Sequence, residues 1–228
     1  MDLTHVVIVG IGGVGTHLSW PICQYLAYKS PKTRLTLIDG DNFEPRNAER
    51  QVFTELGNKA EVTATRLGSN FSELTIEAKP HFLTEDNAFV FIREGALVFC
   101  CVDNHASRKL LSDHCSTLRD VVLISGGNDY DDGNVQVYVR CNGEDVTSPL
   151  TYLHDEIARP QDRNPAELSC EERAATGTPQ LVFANFTVAS AMANAFWVVT
   201  EHGVVYNELY FDLKSGAQRP VLRKKEQK

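Results

Sequence analysis

Apolar residues fall in short blocks that alternate with longer amphipathic stretches. Residues 5–9, His-Val-Val-Ile-Val, form a β-branched run that stops at Gly10, the pattern of a strand covered on both faces. A glycine turn follows, then a helical stretch to about Lys29 with Pro21 inside it as a possible kink point. Residues 34–39 read as a second strand ending on Asp39. Residues 58–71 set Ala60, Ala64 and Leu67 on one helical face. Ile76 falls in a third strand and residues 86–93 in a short helix. Residues 96–102 form an intensely apolar central strand that ends at Asp103. A helix over residues 105–118 and a strand over 121–124 come next, followed by Ser125-Gly126-Gly127. Residues 134–140 alternate Val135, Val137 and Val139 with polar side chains, the period of a strand with one polar face.

Between residues 142 and 178 the periodicity breaks down. Pro149, Pro160 and Pro165 interrupt it, acids alternate with arginines, and hydrophobic residues are sparse. A long mobile loop crossing over the sheet is expected there, within a single domain spanning residues 1–228. Residues 181–199 predict an apolar, alanine-rich helix at the core or at a subunit contact, and residues 206–213 a last strand. Strands alternating with helices imply an α/β fold: a Rossmann-like, doubly wound, mainly parallel sheet with added antiparallel strands. Ligands of such sheets bind beyond the carboxyl ends of the strands.

Composition narrows the function. A net charge of −8 over 228 residues argues against nucleic-acid binding, which needs clustered excess Lys and Arg. The short basic run Arg223-Lys224-Lys225 reads as a solvated tail. No apolar run reaches the roughly 18 residues a membrane span requires, and no secretory leader is visible, so no membrane contact is expected. Cys23, Cys100, Cys101 and Cys115 sit in apolar or helical surroundings and read as buried thiols, which fits a reducing cytoplasm.

Chemistry collects at the ends of the predicted strands. Gly10-Ile11-Gly12-Gly13-Val14-Gly15 lies between a strand and a helix. There glycines let the backbone approach a phosphate, and free N–H groups at the helix start carry partial positive charge. Asp39 ends the second strand, where an acid accepts hydrogen bonds from ribose hydroxyls. These features fit NAD and ATP equally well. The next segment separates them. Asp39-Gly40-Asp41 is followed by Asn47-Ala48-Glu49-Arg50-Gln51 and Lys59, and Asp103-Asn104 stands beyond the central strand. Hydride transfer has no use for such cations, whereas nucleotidyl transfer needs positive charge on the phosphates and an acid for Mg²⁺. Each residue also has a plainer role. Asp39 and Asp41 would cap a turn, Arg50 and Lys59 would be surface charges, and Asp103-Asn104 would cap a helix. Arg108 reads best as a structural helix residue paired with an acid.

Taken in order, these motifs resemble the ThiF/MoeB-like superfamily, which includes the ubiquitin-activating enzymes. The resemblance rests on the glycine loop, Asp39 with Asp41, Asn47 through Gln51, Lys59-Ala60, Asp103-Asn104 with Arg108, and Ser125-Gly126-Gly127. It covers roughly residues 5–140 and 168–197. It implies ATP-dependent adenylation of the C-terminal glycine carboxylate of a ubiquitin-like or sulfur-carrier protein. Asp39 would bind the ribose, Asn47, Arg50 and Lys59 the triphosphate, and Asp103 would hold Mg²⁺ or position the phosphates. Leu168-Ser169-Cys170-Glu171-Glu172-Arg173 resembles the segment in which some members form a thioester or persulfide. Cys170 is therefore either a covalent acceptor or an incidental loop thiol. The resemblance also implies a symmetric homodimer.

The sequence departs from the family pattern in two places. Many members hold structural zinc with two C-x-x-C pairs, and this chain has no C-x-x-C, so no zinc is expected. Several carry an N-terminal arm that lends an arginine to the other subunit. Here the first strand begins at once, so that arginine is expected to be absent or to come from elsewhere. Two alternatives to the leading reading remain: a non-catalytic partner subunit, and an acceptor that is a peptide or small carboxylic acid.

Overall fold

A computed structural model describes residues 3–168, 172 and 180–223. The chain enters through β1 (His5–Val9), α1 (Gly13–Lys29) and β2 (Arg34–Ile38). A two-stranded ribbon of β3 (Asn42–Phe43) and β4 (Gly57–Asn58) leads into α2 (Lys59–Gly68). Next come β5 (Thr75–Lys79), α3 (Glu85–Phe91), β6 (Leu97–Cys100), α4 (His105–Thr117), β7 (Val121–Asn128) and β8 (Asp132–Cys141). The crossover carries β9 (Glu144–Asp145), α5 (Leu150–Leu153) and α6 (Asp155–Ala158). Helix α7 (Val182–His202) and strands β10 (Glu208–Asp212) and β11 (Ala217–Val221) complete the described residues.

Among the described residues the main sheet runs β11-β10-β8-β7-β6-β1-β2-β5, with β9 added on β8. The pairings from β5 to β7 are parallel and those from β7 to β11 antiparallel. This is the doubly wound sheet with antiparallel additions that the alternating pattern predicts, and β11 is a strand that pattern did not reveal. The strand order reverses between β1 and β6, which opens a crevice beyond their carboxyl ends.

Two cores lie on the two faces, and the strand period of two sorts residues between them. Val6 and Ile8 join Leu97, Phe99, Val122 and Ile124 under α1 and α7. Val7 and Val9 join Val98, Cys100, Val121 and Leu123 under α4. Phe99 is fully buried; its truncation to alanine would cost about 3–5 kcal/mol.

Several expectations are corrected. Helix α1 runs on through Pro21, the possible kink point, which lies on the exposed side of the helix. The expected long loop is partly helical. Leu150 and Ile157 are buried, and α5 and α6 rest on α4, so a few spaced apolar residues sufficed to dock it. Three polar ties fix this crossover. His154 Nε2 meets the buried Glu208 carboxylate at 2.7 Å, Asp162 caps the start of α4, and Asn164 Nδ2 donates to Leu83 O at 2.9 Å. Helix α7 is long and apolar enough to cross a membrane, contrary to the reading of the sequence. It packs on α1, β7 and β8, as a core helix does.

Candidate functional site

A cleft of about 1390 Å³ opens at the carboxyl ends of β1, β2, β6 and β7. It exceeds the usual range of roughly 300–1,000 Å³ for small-ligand pockets, leaving room for a nucleotide and part of a second substrate. Gly10, Gly12, Gly13, Asp39, Asp41, Asn47, Arg50, Lys59 and Asp103 all line it. Gly15 does not; it has a packing role instead.

The glycine loop is shaped by close approach. Gly10 has φ +89°, and a Cβ there would stand 2.9 Å from the Cys101 carbonyl. A Cβ on Gly15 would stand 2.0 Å from Gly10 O. These two glycines let the loop fold onto the end of β6. Gly12 differs, because a Cβ there would meet nothing within 4 Å. That open space lies on the cleft side, at the start of α1, whose N-cap has no side-chain hydrogen bond. Free N–H groups at the start of a long helix facing an open cleft suit an anion.

Asp39 grips this loop. Its Oδ2 accepts Ile11 N–H at 2.6 Å and its Oδ1 accepts Asp41 N–H at 2.8 Å. Burial pushes its carboxyl above the usual carboxylate range, Lys59 opposes that and Asp41 adds to it. The turn-capping role is therefore present, and the side chain retains 9% exposure at the edge of the cleft.

Lys59 is held by local structure. Asn58 Oδ1 caps α2 by accepting from Ala60 N and Glu61 N, while its Nδ2 donates to Asp39 O and Asp41 O. This fixes the first residue of α2 beside the acids, with Lys59 Nζ 3.5 Å from Asp41 Oδ2. Lys59 is buried and lines the cleft. Asn47 Oδ1 accepts Glu44 N–H at 2.9 Å and closes a short 3₁₀ turn, Pro45–Asn47. Arg50 follows that turn and donates from Nη1 to Gln180 Oε1 at 2.6 Å. Its charge is not neutralised by that amide.

Asp103 is exposed and makes no hydrogen bond or ion pair among the described residues. Its neighbour Asn104 is the helix cap, accepting Ser107 N–H at 2.8 Å. The capping role thus falls to Asn104 and leaves the Asp103 carboxylate free at the cleft. Arg108 is structural, as expected, but pairs with no acid among the described residues. It donates to Ser125 Oγ at 2.7 Å, Val102 O at 2.7 Å and Gly126 O at 2.8 Å. This stitches the turn that carries Asp103 to the end of β7.

Cys23, Cys100, Cys101 and Cys115 are buried, and burial pushes the Cys23 thiol up to about 12. None of these four is a ready nucleophile. Cys141 is exposed. Cys170 itself lies outside the described residues.

The sequence reading missed Asn58 and Gln180. Asn58 was legible, because Asn directly before Lys-Ala-Glu is a cap signal. Gln180 reaches the site only through the fold: it is 130 residues from Arg50.

Comparison with known proteins agrees with this geometry. The ThiF family pattern matches residues 2–227. Adenylyltransferase and sulfurtransferase MOCS3 of Drosophila ananassae is 37% identical over 142 residues, which are 60% of this chain and 30% of that protein. Sulfur carrier protein adenylyltransferase of Thermus thermophilus is 34% identical over 137 residues, 58% of this chain and 48% of that protein. The match therefore spans less than half the length of these curated relatives. Among solved structures, E. coli MccB with ATP superposes with a TM-score of 0.72 at 17% identity, covering 96% of this chain and 63% of MccB. PaaA superposes at 0.68 with 18% identity, covering 95% and 71%; at these identities the likeness speaks for the fold. A family pattern matched almost throughout, on a sheet of this order, makes one assignment: the chain belongs to the ThiF family.

Proposed function

We propose that the chain binds ATP in this cleft and adenylates the C-terminal carboxylate of a ubiquitin-like or sulfur-carrier protein or of a peptide. One observation carries the reading: the open glycine loop, Arg50, Lys59 and the unpaired Asp103 face a single cleft. The names of the relatives support it, as MOCS3 and the Thermus protein are adenylyltransferases and E. coli MccB was solved with ATP.

In this reading the acceptor carboxylate attacks the α-phosphorus in line, and pyrophosphate leaves as the acyl-adenylate forms. The free N–H groups of α1, Arg50 and Lys59 stabilise the charge that builds on the phosphates, so the protein contributes orientation and electrostatics. Asp39 takes the ribose hydroxyls and Asn47 lies along the triphosphate.

Mg²⁺ fits the residues present. Asp103 is a free carboxylate at the cleft, and no group of three His, Cys, Asp or Glu side chains gathers among the described residues. Mg²⁺ in nucleotide sites is held by one or two carboxylates together with phosphates and water, so a single acid suits it. Asp103 would hold the ion, which supplies charge neutralisation on the phosphates.

Cys170 is the candidate for a second step, in which its thiolate attacks the acyl carbonyl, AMP leaves and a thioester forms. The functional unit is a symmetric dimer, with the exposed Phe183, Phe186 and Trp197 of α7 as contact candidates; sedimentation at micromolar concentration tests this.

The central test is exchange of labelled pyrophosphate into ATP with carriers ending in Gly-Gly and with short peptides. Carrier- or peptide-dependent exchange is expected, reduced at least a hundredfold by Arg50→Ala or Asp103→Ala. With Cys170→Ala, exchange is expected to persist while the carrier adduct disappears. If no acceptor elicits exchange, adenylation by this chain alone is wrong. Recovery on adding an active relative would make it a non-catalytic partner subunit.

A further inference from the structure

Thr16 lies in the first turn of α1 and is 2% exposed. Its Oγ1 donates to Gly12 O at 2.8 Å, and its own N–H donates to the same carbonyl at 3.1 Å. Two donors thus draw the Gly12 carbonyl into the helix. Peptides among the described residues are trans, and in a planar trans peptide the N–H points opposite to the C=O. The Gly13 N–H is therefore aimed out of the helix start, on the side where Gly12 and Gly13 line the cleft. The same hydroxyl has a second partner: its oxygen accepts Val52 N–H at 3.3 Å. Val52 directly follows the segment that carries Arg50. Arg50 N and Gln51 N both donate to Asn47 O, at 3.1 and 2.9 Å, so residues 47–51 form a tight turn, and Arg50 and Gln51 line the cleft. A hydroxyl donates one proton and accepts at its lone pairs, so both bonds are made at once. A threonine bond back to the carbonyl four residues earlier is common in helices. The Val52 bond sets this one apart, because one buried oxygen joins the glycine loop to the Arg50 turn.

We infer that Thr16 is a positioning residue for phosphate recognition, whose hydroxyl fixes the aim of the Gly13 N–H and the place of the Arg50 turn relative to each other. The Val52 N–H, the Thr16 hydroxyl and the Gly12–Gly13 peptide form a chain of donors and acceptors that ends on the Gly13 N–H. Each bond in such a chain polarises the next, so an anion on that N–H is held more strongly. Thr16 does not line the cleft and acts only through the loop and Arg50. Without the hydroxyl, Gly12 O keeps the Thr16 N–H and the helix start survives, but the tie to the Arg50 turn is lost. This inference rests on the cleft being an ATP site.

The experiment compares wild type with Thr16→Val and Thr16→Ser by calorimetric titration with a non-hydrolysable ATP analogue and with adenosine. Thr16→Val keeps the shape and removes the hydroxyl. It is expected to bind the ATP analogue about tenfold more weakly, the worth of one hydrogen bond, and to bind adenosine as wild type does. Thr16→Ser keeps the hydroxyl and should restore the affinity for the analogue. Thr16→Ala removes the hydroxyl without setting a methyl against Gly12 O, and is read in the same way if the valine variant does not fold. Equal affinity for the analogue in wild type and the hydroxyl-free variant overturns the inference. So does a serine variant that loses as much as valine, which would assign the effect to the methyl group, and so does an equal loss for adenosine. A wild-type protein that binds neither ligand overturns the ATP reading itself, a distinct result.

Discussion

The carboxylate of Asp39, at the end of β2, accepts the Ile11 N–H of the glycine loop at 2.6 Å and the Asp41 N–H at 2.8 Å. One side chain thus sets the distance between the glycine loop and the acid that faces Lys59. Asp39→Ala strands both N–H groups and is expected to cost about 1–3 kcal/mol of stability. Nucleotide affinity should fall at least tenfold. Urea unfolding and ligand titration read the two effects, and unaltered values in both would remove Asp39 from both roles.

The glycines of the loop should separate into two classes. Gly15→Ala drives a methyl into Gly10 O and is expected to abolish soluble expression. Gly12→Ala meets no neighbour, so its stability should stay within about 0.5 kcal/mol of wild type while nucleotide binding drops at least tenfold. Equal nucleotide affinity in the Gly12 variant would show that the open space is not where the phosphate lies.

Asp103 and Arg108 are close in sequence and opposite in consequence. Asp103→Asn removes no contact among the described residues and should leave the unfolding midpoint unchanged while exchange falls about a hundredfold. Arg108→Met abandons Val102 O, Gly126 O and Ser125 Oγ and should cost about 3 kcal/mol or more. A thermally normal Arg108→Met protein would contradict the stitching role.

Stability should weaken in mild acid because of His5. It is 7% exposed on β1, with Nε2 3.0 Å from Thr36 Oγ1. Burial lowers its pKa from 6.5 to about 4, helped by the charge of Arg34. The unfolded chain takes up a proton near 6.5 and the folded chain near 4. The contribution is therefore complete above 6.5 and is lost as pH falls through that window, by up to about 3 kcal/mol. Asp39 acts in the opposite sense, since its raised pKa favours the folded state as pH falls toward 3.8. The comparison that isolates His5 is the unfolding free energy of wild type minus that of His5→Gln at pH 7 and pH 4.5. A difference that does not change with pH would refute the assignment.

Much of the site was legible because its residues belong to short segments that begin at strand ends. A β-branched run, a glycine loop and an acid two elements later are local patterns, and the parallel sheet delivers them to one edge. Lys59 was legible as a cation; its fixed position comes from Asn58, whose cap was missed. The crossover was read as a loop because Leu150 and Ile157 are too few to form a period, yet each finds a buried place under α4.

The sequence by itself determined the doubly wound fold, the glycine loop with its acids, and the membership that those motifs imply. These depend on hydrophobic period and local turn chemistry, which neighbouring residues specify. Only the tertiary structure decided that Asn104 caps α4 while Asp103 stays free, that Arg108 binds three neutral oxygens in place of an acid, and that Gln180 stands behind Arg50. Those relations join residues far apart in the chain, and their partners are set by how α7 and β7 pack against the sheet, which no local pattern records.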